Sequence, residues 1–341
     1  MVNINSSIEE ELQKFKEISF KLGSNKNLVQ AAGGNTSMKS NDSMLIKASG
    51  TWLSNSLKED VFVEVDLNSI KKKINSEQDD NFSEDIISKN DLRPSTETSF
   101  HALIDFKYVL HVHSTSTIAN AISLNSSTNL KKHLGKKFAF IPYIRPGFPL
   151  TMLMKKIITS DIQIVILENH GLIVAGDDLQ DTYELLLDTH KKLDFIINDN
   201  FSFPKESTSI DIDQYELKNA EKYNLFKTTD DKFFSAFSKS FYPDHVIFLG
   251  PGVPTFESTR DAVTFLDNLK DKNLNLPPYI ILKGVGLFEL NTAISAAKEM
   301  IDCFLEVLLR INFDEELKPL SKFQENELLN WDAEIYRQSI N

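Results

Sequence analysis

A single cysteine, Cys303, stands in 341 residues, so an internal disulfide is excluded. It falls within an apolar helical pattern with Met300, Ile301, Phe304, Leu305, Leu308 and Leu309, which reads as a core thiol and not a nucleophile. No run of about 18 apolar residues occurs, and the first residues lack a basic region followed by an apolar one. Neither a membrane span nor a leader is therefore expected, and the expected location is the cytoplasm. Excess positive charge is also missing: 49 acidic residues outnumber 37 Lys and Arg, for a net charge of −12. That balance argues against nucleic acid and anionic membranes as partners, since both need a sustained basic surface. The lysine clusters at 71–73, 131–132 and 136–137 are short and read as solvated faces. With 41% hydrophobic and 25% charged residues, the chain has the composition of a globular protein that can bury a substantial core.

Residues 6–23 carry helical spacing (Ile8, Leu12, Phe15, Ile18, Leu22) with Gly23 as a C-terminal cap. Residues 28–38 and 44–50 read as a strand pair about a turn at 40–43, and 62–66 as a further short strand. Residues 68–92, rich in Asn, Ser, Asp and Lys, read as a mobile excursion or an insertion. Helix, strand and helix are expected at 96–104, 108–113 and 117–124. A buried strand at 162–167, a returning strand at 172–175 and an amphipathic helix at 178–197 follow. The alternation implies an α/β layered sandwich. The polar stretch 198–213 suggests a division into an N-terminal domain, 1–200, and a C-terminal α/β extension, 201–341. Within the extension, residues 280–288 and their following helix echo 165–173, placing Val285 where His170 stands. Residues 245–250 echo 108–113, with Phe248 and Gly250 in the histidine positions. The extension thus reads as a degenerate partial repeat that has lost its ligands, with chance similarity as the alternative.

His111 and His113 lie two apart on an expected strand, so their side chains share a face. His170 closes a different buried strand, and three histidines with a vacant fourth position suit a catalytic divalent metal, zinc by preference. A pair of hydrogen-bonded core histidines is the plainer alternative. Pro94-Ser-Thr-Glu97 opens a helix, where Ser95 or Thr96 would cap and Glu97 would favour the dipole. The same hydroxyls and amides could bind an anion beside a metal. Two small-residue turns, 33–37 and 48–51, expose amides and hydroxyls as a phosphate-binding loop requires. Of the remaining histidines, His101 reads as a helix-face residue or a partner of the metal ligands, the former preferred, and His190 as core. His133 and His245 read as surface or structural.

Taken in order, Gly34-Asn35-Thr36-Ser37, Lys47-Ala-Ser-Gly50, Pro94-Ser-Thr-Glu97 with His101, His111-Val-His113 and Asn169-His170-Gly171 resemble the class II aldolase/adducin family. That family includes fuculose- and rhamnulose-phosphate aldolases and ribulose-phosphate 4-epimerase. The resemblance covers residues 8–197, and 214–341 look like the extension of longer members. No glycine-rich dinucleotide fingerprint follows.

The resemblance implies a three-layer α/β/α sandwich, assembled as a homo-oligomer, usually a tetramer. By motif match, His111, His113 and His170 would bind Zn2+ or another divalent ion. Glu97 would move between metal ligand and catalytic acid/base, and Asn35, Ser49, Gly50, Ser95 and Thr96 would line the phosphate of a sugar substrate. The implied activity is an aldehyde-lyase, cleaving a sugar phosphate through an enediolate. Epimerisation, decarboxylation or dehydration on the same scaffold, or an adducin-like assembly module without catalysis, are the alternatives. No motif supplies a tyrosine proton donor.

Overall fold

The computed structural model describes residues 2–77, 82–135, 137–204 and 210–339. Helix α1 (Val2–Ser24) buries Phe15, Ile18 and Leu22, the stripe its 3.6-residue spacing predicts. Strands β1 (Asn35–Ser40) and β2 (Ser43–Lys47) form a hairpin, and β3 (Phe62–Asp66) leads directly into α2 (Leu67–Asn75). Then come α3 (Thr98–Leu103), β4 (Tyr108–Val112), α4 (Thr115–Ala121), α5 (Ser126–Leu134), β5 (Ala139–Ile141) and α6 (Phe148–Ile157). The half closes with β6 (Ile164–Leu167), β7 (Gly171–Gly176) and α7 (Leu179–Lys192). The seven strands make one sheet in the order β3-β2-β1-β4-β7-β6-β5, antiparallel except for β5 beside β6.

Alternation along the strands divides the sheet into two apolar faces. Leu110, Leu172 and Val174 pack with α1, α5 and α7 on one side, while Val109, Ile173 and Ala175 pack with α3 and α6 on the other. With α2 covering β2 and β3, the result is the expected three-layer α/β/α arrangement. His111 shares the face of Val109, so the pleat directs it toward α3.

Several local expectations change. The segment 68–92 is largely ordered: Asp66 caps α2 at the Ser69 amide, and Leu67, Ile70 and Ile74 are buried. Their i, i+3, i+7 stripe was hidden among Lys71, Lys72 and Lys73. Residues 78–81 of that segment lie outside the described ones. The first strand begins only at Asn35, because Gly34 takes a φ of +58° that turns the chain. Helix α3 starts after Glu97, and the N-cap position is held by Glu97 itself, with no side-chain cap. Ser95 instead accepts from the Glu97 amide.

The second half contains β8 (Tyr215–Leu217), α8 (Asp231–Phe237), α9 (Pro243–Leu249), β9 (Thr255–Phe256), α10 (Thr259–Asp271), β10 (Tyr279–Leu282) and β11 (Gly286–Leu290). Three helices finish it: α11 (Ser295–Arg310), α12 (Lys322–Leu329) and α13 (Asp332–Ser339). Its sheet runs β8-β11-β10-β9, with only β9 and β10 parallel. Strand for strand, this order and orientation match β4-β7-β6-β5. The hairpin register matches too: Leu282 pairs Gly286 as Leu167 pairs Gly171, which sets Val285 against His170. The other half of the expected echo fails, because residues 243–249 are helical. Pro243 at the first turn and an apolar run favour a helix there. In the matched register it is Leu217, not Phe248, that corresponds to His111.

The two halves share a core. Ile118, Ala119 and Ile122 of and beside α4 pack with Phe304, Leu308 and other residues of α11. Cys303 is buried there, as expected. No helix among the described residues is long and apolar enough to cross a membrane.

Candidate active site

Strand β4 carries His111, His113 directly follows its last residue, and the tight turn between β6 and β7 carries His170. Asn169 adopts a φ of +56° in that turn, and its amide donates to the carbonyls of Phe241 (2.9 Å) and Lys318 (2.7 Å). These bonds fix the turn that aims His170. The three imidazoles are buried, with ring centroids 4.9–5.1 Å apart. One nitrogen from each lies within 4.8 Å of the others, a group that could hold one metal ion.

Glu97 enters from the N-terminus of α3, its Oε2 3.4 Å from His111 Nε2 and its Oε1 3.5 Å from His170 Nε2. Asn35 of β1 donates to Glu97 Oε2 at 2.8 Å and to Ser95 Oγ at 3.2 Å. Behind it, His101 Nε2 meets Asn35 Oδ1 at 2.5 Å, and His101 Nδ1 meets Ser37 Oγ at 2.7 Å. His101 is therefore fully buried and orients Asn35, which corrects the expectation of a helix-face residue without a part in the site.

Proton affinities suit metal binding. Burial pushes the His170 imidazole down to about 3 and His111 well below its ordinary value, so both are neutral and present lone pairs. His111 Nδ1 donates to the Leu172 carbonyl at 3.1 Å, leaving Nε2 buried without a hydrogen-bond partner. Glu97 Oε1 is likewise buried and without a hydrogen bond. Buried polar atoms are rarely left so, and a cation between them would satisfy both. The residues present thus fit a divalent metal.

The cavity beside these groups is lined by Asn35, Ser49, Gly50, Ser95 and Thr96, so the structure gathers the expected anion-binding residues at the histidine cluster. Lys47 shares that wall, donating to the Ala32 carbonyl at 2.9 Å. Burial, aided by Arg337, pushes its ammonium down to about 7. Lys47 stood within a recognised motif but received no role from the sequence.

Three further groups come from the second half and had no sequence signal. Asp244, in the first turn of α9, lies 2.9 Å from His113 Nδ1. Gly33 permits this approach, since a Cβ there would sit 2.7 Å from His113 Nδ1 and 2.8 Å from the Asp244 carboxylate. Arg337 of α13 pairs with Asp244, and Glu334 lies 3.2 Å from Arg337 Nε. Burial pushes the Glu334 carboxyl up to about 7, against the pull of Arg337. His190, by contrast, belongs to a separate core contact with Ser114 and Ser116. His133 lies tilted against Phe195, and His245 is fully buried against Phe304.

Residues 16–193, more than half of the chain, match the family described as Class II Aldolase and Adducin N-terminal domain. Over 219 residues the chain is 27% identical to the uncharacterized oxidoreductase YuxG of Bacillus subtilis, covering 59% of this chain but only 30% of that protein. Over 183 residues it is 30% identical to an L-fuculose phosphate aldolase of Methanocaldococcus jannaschii, covering 50% of this chain and 87% of the relative. Among solved structures, the N-terminal class II aldolase domain of a conserved Thermoplasma acidophilum protein aligns with a TM-score of 0.48 at 24% identity. That alignment covers 52% of this chain and 90% of the other. The order of motifs, the sandwich and the matched segment agree: this chain belongs to the class II aldolase/adducin family.

Proposed function

We propose that the protein is a metal-dependent lyase that cleaves a carbon–carbon bond of a phosphorylated ketose. The observation that carries this is the placement of Glu97, a buried carboxylate within 3.5 Å of two neutral imidazoles of the cluster, with one oxygen held by Asn35. His111, His113 and His170 would hold the ion, zinc by preference, which when bound supplies Lewis-acid stabilisation of negative charge on the substrate's oxygens.

The chain's own groups do the rest. Glu97 takes the proton from the substrate's C4 hydroxyl as the C3–C4 bond breaks, and the electron pair remains as an enediolate that is then protonated. Asn35 keeps the Glu97 carboxylate aimed at that position, and His101 keeps Asn35. The hydroxyls of Ser49, Ser95 and Thr96, with the small Gly50 turn, receive the phosphate, and Lys47 beside them gains a proton as the anion arrives. Fixing the substrate at both ends supplies the orientation that the bond cleavage needs. Assembly into a homo-oligomer is part of the same proposal.

The test is a screen of phosphorylated ketoses with metal-loaded and chelated protein. The expected result is metal-dependent release of an aldehyde and dihydroxyacetone phosphate. Formation of an epimer, of carbon dioxide or of a dehydrated ketone would replace cleavage by another reaction of the same enediolate. No turnover and no metal uptake would favour a non-catalytic assembly module.

A further inference from the structure

We infer that Asp244 is a positioning residue for His113, so that the C-terminal half of the chain sets the metal affinity of a centre whose ligands all lie in the N-terminal half. The inference rests on the proposed metal-binding role of the histidine cluster.

His111 orients its ring through the carbonyl of Leu172, within its own sheet. His113 has a different arrangement. Its Nδ1 lies 2.9 Å from Oδ2 of Asp244, while its Nε2 accepts a long, 3.4 Å bond from the Gly34 amide. An imidazole that accepts at Nε2 carries its proton on Nδ1, which is the form that donates to a carboxylate. With Asp244 Oδ2 beside it, Nδ1 is the nitrogen that keeps the proton, and the Nε2 lone pair, engaged only by the long Gly34 contact, is the one that can turn to an ion. A carboxylate bonded to the far nitrogen of a metal-binding histidine also makes the ring a stronger donor.

Asp244 is only 2% exposed, so its carboxylate meets protein partners in place of water at both oxygens. Arg337 comes from α13 and pairs with the other oxygen, Oδ1. The chain His113–Asp244–Arg337 thus joins β4 to α9 and α13. Gly33 leaves the space through which it passes. A merely structural ion pair between α9 and α13 would need only Asp244 and Arg337. Contact with the imidazole is what links the pair to the metal centre.

The test compares the full-length wild type with Asp244→Asn, which preserves size but removes the charge. Zn2+ affinity, read by competition with a chromophoric chelator, should fall about 10- to 100-fold, the range typical of lost outer partners of ligating histidines. The visible spectrum of the Co2+-loaded protein should shift as well. An affinity within twofold of wild type, with an unchanged Co2+ spectrum, overturns the inference while leaving the metal site intact. A wild type that takes up no divalent ion overturns the proposed function and this inference together. Should the variant fail to fold, the wild type decides: 15N NMR of the metal-free protein should show His113 protonated at Nδ1 only. Protonation at Nε2 instead would overturn the assignment.

Discussion

Asn35 and Glu97, 62 residues apart, meet at 2.8 Å, with the amide of the first strand donating to the carboxylate at the start of α3. The contact anchors Oε2, 3.4 Å from His111 Nε2, and leaves Oε1 3.5 Å from His170 Nε2. Replacing Glu97 by Gln keeps the shape and removes the proton carrier. Turnover should fall by about 10²- to 10⁴-fold, the usual contribution of general acid–base catalysis, with Zn2+ still bound. Steady-state rates with parallel metal analysis check this, and an unchanged kcat would remove Glu97 from the chemistry.

Helix α13 closes the cavity. The space left beside Glu97 and His170 is about 30 Å³, room for one or two waters but not for a sugar phosphate. Across α13 lies a second cavity of about 600 Å³ that shares Ser49, Ser95 and Thr96 with the first. Under the proposed function, a sugar phosphate reaches Glu97 only when α13 moves aside. Its edge is held by Tyr336 beneath the Arg93 guanidinium, 4.4 Å from the ring centre, and by Trp331 beneath Arg145 at 4.3 Å. An exposed contact of this type contributes about 0.5–1 kcal/mol, so Tyr336→Ala should speed amide exchange across residues 332–338 by roughly two- to fivefold. Unchanged exchange would argue that α13 is anchored elsewhere.

The buried His245 makes stability depend on pH. Burial holds its imidazole at about 3, below the unfolded value of about 6.5. Between these values the unfolded chain binds a proton that the native state refuses. Stability is thus full above the unfolded value and falls as pH drops toward 3, by up to about 1.4 kcal/mol per pH unit for this one group. Urea unfolding at pH 7, 6, 5 and 4 should show a shallower decline for His245→Leu than for wild type. Equal slopes would mean that His245 is not the group responsible.

That the histidines, Glu97 and the small-residue turns come together was legible because each sits in a short local pattern: an i, i+2 pair on a strand, or a small-residue turn before a helix. The layered α/β fold followed from the alternation of strands and helices, and its three-layer form from the family resemblance. Asp244, Glu334 and Arg337 were not legible, since nothing in Pro243–Leu249 or Asp332–Ser339 signals a site, and long-range packing between the halves brings them to it. His101 was underrated because a histidine one turn after Glu97 gives no hint of Asn35 and Ser37 on the neighbouring strand. The repeat was half legible. Its hairpin keeps the glycine register, but helical α9 looked like a strand from apolar content alone.

The most direct test of the account is the metal content of the protein itself. Metal-free chain titrated with Zn2+ should bind one ion per chain tightly, and His111→Ala, His113→Ala and His170→Ala should each abolish tight binding while a melting transition persists. A folded wild type that binds no ion, or an ion retained unchanged in all three variants, would contradict it.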